Sequence, residues 1–248
     1  MISTDERVAQ RERPSGRPAG FQRWRDLAFL HWRVDAAAIA ELLPEGLEVD
    51  TWEGQAWVGV VPFAMLDVSP WWSPSVPGIS NFLELNVRTY VHRAGRAPGV
   101  WFFSLDAAKA IAVLLARTGW DLPYHFAGME LAREGDEVRY ASTRRYPGPT
   151  PATLELRYRI GEAIGEAEPG TFEHFLAERY VLYAQGGKGM RIGRVHHHPY
   201  PLHRAEVLAL EESMVVAARM PAPIGTPHIL YSPGVGVDVD VFALEPVA

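Results

Sequence analysis

The chain has 248 residues, is 48% hydrophobic, sets 24 Lys and Arg against 30 Asp and Glu, and contains no cysteine. That length and apolar content supply one sizeable core, so a single domain is expected. A net charge of -6 without any block of like charges argues against nucleic acid or an anionic membrane as partner, and the absence of cysteine excludes disulfides, thiolate catalysis and cysteine-held metal centres.

Residues 1–20 are charged, hold Pro14, Gly16, Pro18 and Gly20 and have no apolar stretch, so they read as a disordered arm ahead of a domain over 21–248 and not as a secretory signal. No apolar run reaches the roughly 18 residues a bilayer demands, and the cytoplasm is the expected location. Short β-type runs follow at 25–33, 55–67, 82–92, 99–105, 125–132, 136–144, 153–160, 179–184, 190–197, 205–210 and 236–243. Four short helices are expected among them: 36–43 capped by Asp35, 107–118 capped by Asp106 and ended by Gly119, one from Thr171 to about 178, and one over 211–219. They do not alternate with strands as βαβ units would. A mainly β fold of the α+β kind follows, closed or sandwich-like and antiparallel, with peripheral helices.

Polar residues that interrupt core-like runs mark the candidate site. In Glu84-Leu-Asn-Val-Arg-Thr-Tyr90 strict alternation puts Glu84, Asn86, Arg88 and Tyr90 on one face and Leu85, Val87 and Thr89 on the other. That face is either solvated or the polar lining of a pocket, where a buried carboxyl would have a raised pKa. In Asp121-Leu-Pro-Tyr-His125 the proline stiffens the entry to a strand that begins with two polar rings; these are either core aromatics or an acid-base pair. His196-His-His198 has a strand-type ligand spacing but no carboxylate in its segment, and no metal is assigned to it. Lysine is confined to Lys109 and Lys188, so any amine nucleophile is one of these two. Lys109 falls in the first turn of the expected second helix, and Lys188 at a Gly-rich hairpin tip. Arg25 could hold a carboxylate in its planar fork or pair with Asp26 or Asp35.

Taken in order, Leu30-His-Trp-Arg33, Leu43-Pro-Glu-Gly-Leu-Glu-Val-Asp50, Ala56-Trp-Val-Gly59, Pro62-Phe63, Glu84-Leu-Asn-Val-Arg-Thr-Tyr90, Pro98-Gly-Val-Trp-Phe-Phe-Ser-Leu-Asp106, Leu122-Pro-Tyr-His125, Arg179-Tyr180, His198-Pro-Tyr-Pro-Leu202 and Pro233-Gly234 resemble the YqjF-like family, domain of unknown function 2071. That family is placed in the acetoacetate decarboxylase-like superfamily. The resemblance implies a large antiparallel β barrel around a central pocket, a small-molecule ligand and a homo-oligomer. Against the decarboxylase itself, Arg25 falls at a functional arginine and Glu84 at one of two active-site glutamates, while the other glutamate falls near Val61. Tyr124 and His125 stand where the decarboxylase carries its two adjacent lysines. Neither side chain can form an iminium, so the parental mechanism is absent unless Lys109 reaches the pocket.

The function that follows is that of a non-Schiff-base lyase, hydratase or isomerase acting on a small carbonyl or carboxylate compound, without cofactor. Glu84, Tyr124 and His125 would be catalytic, and Arg25, Arg88, Trp101 and Lys109 would bind substrate. The alternative is a non-catalytic binding protein for a small apolar or anionic ligand, enclosed by aromatic rings.

Overall fold

The computed structural model describes residues 2–109, 122–187, 189–235 and 239–247. The strands are β1 (Gly20–Val34), β2 (Glu48–Val49), β3 (Ala56–Pro70), β4 (Phe82–Arg93), β5 (Arg96–Ala107), β6 (Tyr124–Glu134), β7 (Glu137–Tyr146), β8 (Thr153–Gly165), β9 (Val181–Gly186), β10 (Gly189–His196), β11 (Leu202–Glu212), β12 (His228–Gly234), β13 (Val239–Val241) and β14 (Glu245–Pro246). The helices are α1 (Thr4–Ala9), α2 (Ala36–Ala40), α3 (Phe172–Ala177) and α4 (Met214–Ala217). The mainly β expectation is met, with one amendment: the sheet is mixed, because β5 pairs in parallel with both β6 and β9.

The pairings close twice. One ring runs β1, β3, β4, β5, β6, β7, β8, β11 and β12 and returns to β1. The other leaves β5 through β9, β10 and β13 and also returns to β1. Two long strands make this possible by dividing their outer edges: β1 gives residues 25–31 to β12 and 20–22 to β13, and β5 gives 105–107 to β6 and 100–101 to β9.

Strands β1, β3, β4 and β5 therefore form a septum with a core on each side. Burial on both faces explains why residues 56–65 of β3 read as a nearly continuous apolar run, since no face is left for polar alternation. On the first side Ala28, Leu30, Trp32, Val58, Val60, Leu85 and Val87 pack against Tyr140, Leu154, Leu156 and Tyr158 of β7 and β8. On the second, Leu27, Phe29, Val61, Phe63 and Met65 meet Tyr200 and Val239, and Trp57 and Tyr90 meet Phe175 and Leu176 of α3. Burying side chains of that size contributes roughly 1.5–3 kcal/mol each.

Local signals set the helices. Asp35 accepts from the Ala37 N–H and starts α2, and Thr171 accepts from the His174 N–H and starts α3. The expected helix at 211–219 shortens to α4.

Three expectations are corrected. Asp106 lies inside β5, opposite Leu85, and does not cap a helix there; most of the helix expected over 107–118 falls outside the described residues. The N-terminal arm is ordered over α1: Arg7 forms a two-pronged ion pair with Asp50, and Glu6 accepts from the Ala97 N–H. Ionic contacts hold it where an apolar motif was lacking. Of the run expected at 236–243, residues 236–238 lie outside the described residues and β13 covers 239–241; β12, not expected from sequence, precedes it and ends in Pro233 and Gly234.

Gly234 has φ +107°, and a Cβ there would come within 2.0 Å of the Trp24 carbonyl oxygen. Gly234→Ala must open the β1–β12 seam, so we expect a loss of at least about 3 kcal/mol in urea unfolding; a loss below about 1 kcal/mol would show that the seam yields.

Candidate active site

On β4, Glu84, Asn86, Arg88 and Tyr90 face the second core, all at or below 9% exposure. That face is therefore buried, not solvated. Cross-strand, Glu84 opposes Phe63 of β3 and Ala107 of β5. Next to Ala107, β6 begins in parallel register, with Leu105 beside Tyr124 and Asp106 beside His125. Tyr124 thus emerges on the Glu84 side and donates its hydroxyl to Glu84 Oε2 at 2.8 Å.

His125 does not join them. Successive strand residues point to opposite faces, and its Nδ1 lies 2.7 Å from the Pro147 carbonyl on the other side of β6. The Tyr124–His125 pair expected from sequence is therefore split, one residue to each face.

Burial governs the proton chemistry. It pushes the Glu84 carboxyl up to about 8; the Tyr124 hydroxyl bond opposes this rise and the Asp106 charge adds to it. Tyr124 is raised well above the ordinary phenol value by burial first and then by Glu84. At pH 7 the pair is mainly a neutral carboxylic acid beside a neutral phenol, with about one-tenth of Glu84 ionised. Tyr140 fixes the backbone beneath, donating to the Glu84 carbonyl at 2.9 Å.

The raised Glu84 value carries a stability signature. Between the unfolded value of 4.5 and the folded value of about 8, only the folded state holds this proton. Stability from this group is complete below the lower value and falls by about 1.4 kcal/mol per pH unit as pH rises through the window. Glu84→Gln should remove that slope, seen as a wild-type-minus-variant difference in urea unfolding free energy from pH 5 to 8. Parallel curves would place the Glu84 pKa near its ordinary value.

The expected binding residues disperse. Arg88 is buried, donates Nη2 to the Leu176 carbonyl at 3.1 Å and lies over the Phe29 and Tyr90 rings. Arg25 is part-buried and donates to the Trp24 and Val235 carbonyls, while Asp26 takes Tyr231 and Arg133, and Asp35 caps α2. Trp101 packs in a separate cluster with Leu47, Val91 and Tyr183. Lys109 follows the end of β5, immediately before the undescribed 110–121, and Lys188 is outside the described residues.

His197 is buried and stacked on Tyr180, whereas His196 approaches the Arg11 carbonyl; among the described residues no three His, Asp or Glu side chains gather as a metal set. Surface grooves of about 480 and 330 Å³ lie along β11 with β12 and along β7, β8 and β11, and none of the expected site residues lines either. Among the described residues no helix is long and apolar enough to cross a membrane.

Sequence reasoning missed the buried Asp106–Arg144 pair, the His31–Tyr90 contact and the Arg7–Asp50–Arg179 cluster. The spacing of those partners along the chain leaves no local signal. Only the polar His31 inside an apolar run hinted at one.

A mixed sheet closed twice around a buried carboxyl places the molecule with acetoacetate decarboxylase-like folds. The acetoacetate decarboxylase of Legionella pneumophila matches with a TM-score of 0.64 at 13% identity, over 97% of this chain and 94% of that one. An acetoacetate decarboxylase-like enzyme from Sphingomonas wittichii RW1 matches at 0.59 and 14%, over 94% and 95%. The enduracididine biosynthesis enzyme MppR, complexed with pyruvate, matches at 0.56 and 14%, over 92% of each chain. Within that class, residues 21–236 match the model for an uncharacterised conserved protein, domain of unknown function 2071, and the chain belongs to that family. Uncharacterised protein YqjF of Bacillus subtilis (strain 168) is 37% identical over 211 residues, which are 85% of this chain and 86% of the relative.

Proposed function

We propose that the protein is an enzyme that moves a proton on a small carbonyl or carboxylate compound without forming an imine, as a lyase, hydratase or isomerase does. The observation that carries this reading is the buried hydrogen bond from Tyr124 to a Glu84 whose carboxyl is raised to about 8. A carboxyl tuned toward neutral pH exchanges protons efficiently in either direction. The fold and the pyruvate bound by MppR support a small oxo compound as ligand. The positions that resemble the lysine pair hold Tyr124 and His125, which excludes imine formation at those two positions.

The elementary step is enolisation. Ionised Glu84 takes a proton from the carbon next to a carbonyl, the C–H electron pair becomes the enolate C=C bond, and the carbonyl electrons move to oxygen, to which the Tyr124 hydroxyl donates after turning from its bond to Glu84 in the free protein. Glu84 returns a proton to carbon or to a leaving group.

The test is proton–deuterium exchange followed by NMR, with the protein in deuterated buffer and a panel of 2-oxo, 4-oxo and 1,3-dicarbonyl compounds. Exchange above the buffer rate on at least one compound supports the enzyme reading. Binding without exchange favours the non-catalytic alternative, and the absence of both removes a small oxo compound as ligand.

A further inference from the structure

Half of the large apolar side chains that stand exposed among the described residues lie in one connection: Trp71, Trp72, Val76 and Ile79, against Val8, Tyr146, Val216 and Ile224 elsewhere. The connection joins β3 to β4 and reads Trp-Trp-Ser-Pro-Ser-Val-Pro-Gly-Ile-Ser over 71–80, without a charged residue. Hydrogen bonds frame it. At the neck the Val68 N–H donates to the Ser80 carbonyl at 3.0 Å and the Asp67 N–H to Asn81 Oδ1 at 2.7 Å, while the Trp71 N–H donates to the Ala19 carbonyl at 3.1 Å. Inside, the buried Ser80 turns its hydroxyl to the Val76 N–H at 2.8 Å, and the Ile79 and Ser80 N–H groups both donate to the Val76 carbonyl. With these polar groups turned inward, the rings are held outward: Trp71 is 50% and Trp72 71% exposed. The Arg17 guanidinium carbon lies 4.4 Å from the centre of the Trp71 ring, and no acid among the described residues pairs with it. Asp67, the acid at the neck, is taken by Arg23 at 3.1 Å.

Area and charge decide what covers such a tip. The four side chains offer on the order of 400 Å², about half of the roughly 800 Å² that each partner gives to a standard protein interface. A two-fold contact with a second copy sets the same patch against itself, and this patch has no free carboxylate to receive Arg17. A zwitterionic lipid surface meets both conditions, because tryptophan favours the headgroup boundary and a phosphate at that depth accepts from arginine. We propose that the 71–80 loop docks the protein on the surface of a neutral bilayer, with Trp71, Trp72, Val76 and Ile79 entering the interface and Arg17 at the level of the phosphates. The net charge of -6 opposes a strongly anionic surface, not a neutral one. The contact is peripheral and independent of the Glu84–Tyr124 reading.

Co-sedimentation of the full chain with phosphatidylcholine vesicles tests this. The wild type should bind, and its affinity should change less than about three-fold between about 0.05 and 0.5 M NaCl, because salt screens exposed charges and leaves apolar transfer intact. Trp72→Ala should lose at least about ten-fold of that affinity, and Val76→Asp, which puts a charge into the tip, should lose as much. Both side chains stand outside the core, so urea unfolding of the two variants should match the wild type. Failure to bind phosphatidylcholine, binding confined to vesicles that carry phosphatidylserine, or an affinity that Trp72→Ala leaves unchanged overturns the proposal. So does a wild-type dimer that Trp72→Ala splits into monomers in analytical ultracentrifugation, which would assign the loop to a second copy of the chain.

Discussion

Asp106→Ala is expected to lower the unfolding free energy by about 3–5 kcal/mol, because it strands the Arg144 guanidinium inside the first core. Among the described residues Asp106 is the carboxylate that holds Arg144: Nε reaches both Asp106 oxygens at 3.1 and 2.9 Å, and Nη2 reaches Oδ1 at 2.6 Å and Ser104 Oγ at 2.8 Å. Side-chain exposure is 2% for Arg144 and 0% for Asp106, so water cannot replace the lost partner. Burial pushes the Asp106 carboxyl up while the Arg144 contacts work against that rise, which is the balance expected of a pair that pays heavily for desolvation. That balance sets the outcome for the double variant. Asp106→Leu with Arg144→Met removes both charges and should recover most of the loss, because an apolar pair of similar volume needs no compensation. Urea unfolding of the single and double variants decides it. A single-variant loss below about 1 kcal/mol would mean that the cavity hydrates and the pair is not sealed.

The same pair shows where the sequence could and could not be read. Asp106 before an alanine-rich run satisfies the local rule for a helix cap, yet its side chain serves a guanidinium 38 residues away on β7. Local rules describe what a residue can do with its neighbours; the competing use came from the sheet register. By contrast, the face of β4 with Glu84, Asn86, Arg88 and Tyr90 was legible, because strand alternation depends on backbone geometry alone. Applied one step further, alternation separates Tyr124 from His125. Their adjacency to proline suggested joint function, but two neighbours on a strand cannot both face one side. Strand β12 was obscured by Pro233 and Gly234, which resemble a turn; here the glycine permits the β1 backbone to approach too closely for any Cβ. The ordered α1 was hidden for a different reason. Its anchor is Arg7 on Asp50, and a charged arm with turn residues has the composition of disorder until its distant partner is known.

For proton transfer, Glu84→Gln should reduce the exchange rate by about 10²- to 10⁴-fold, and Tyr124→Phe should reduce it while also moving its pH dependence. The two effects differ because the residues hold different parts of the same hydrogen bond. Glutamine keeps the shape and can accept from Tyr124, but it cannot take up a proton, so the loss should be largest above about pH 8 and shrink as pH falls. Phenylalanine leaves the carboxyl in place and removes the hydroxyl that favours its ionised form. In the wild type, ionised Glu84 is the base, so exchange should rise with pH and level off above about 8. In Tyr124→Phe the levelling should move to higher pH, since burial and the Asp106 charge then act on Glu84 without the opposing hydrogen bond. A purely packing role for Tyr124 would lower the rate without displacing the profile. His125→Ala should leave the profile unmoved, because the imidazole is directed at the Pro147 carbonyl on the far face of β6. A shift on losing His125 and none on losing Tyr124 would reverse the assignment and return the proton chemistry to the opposite side of the sheet.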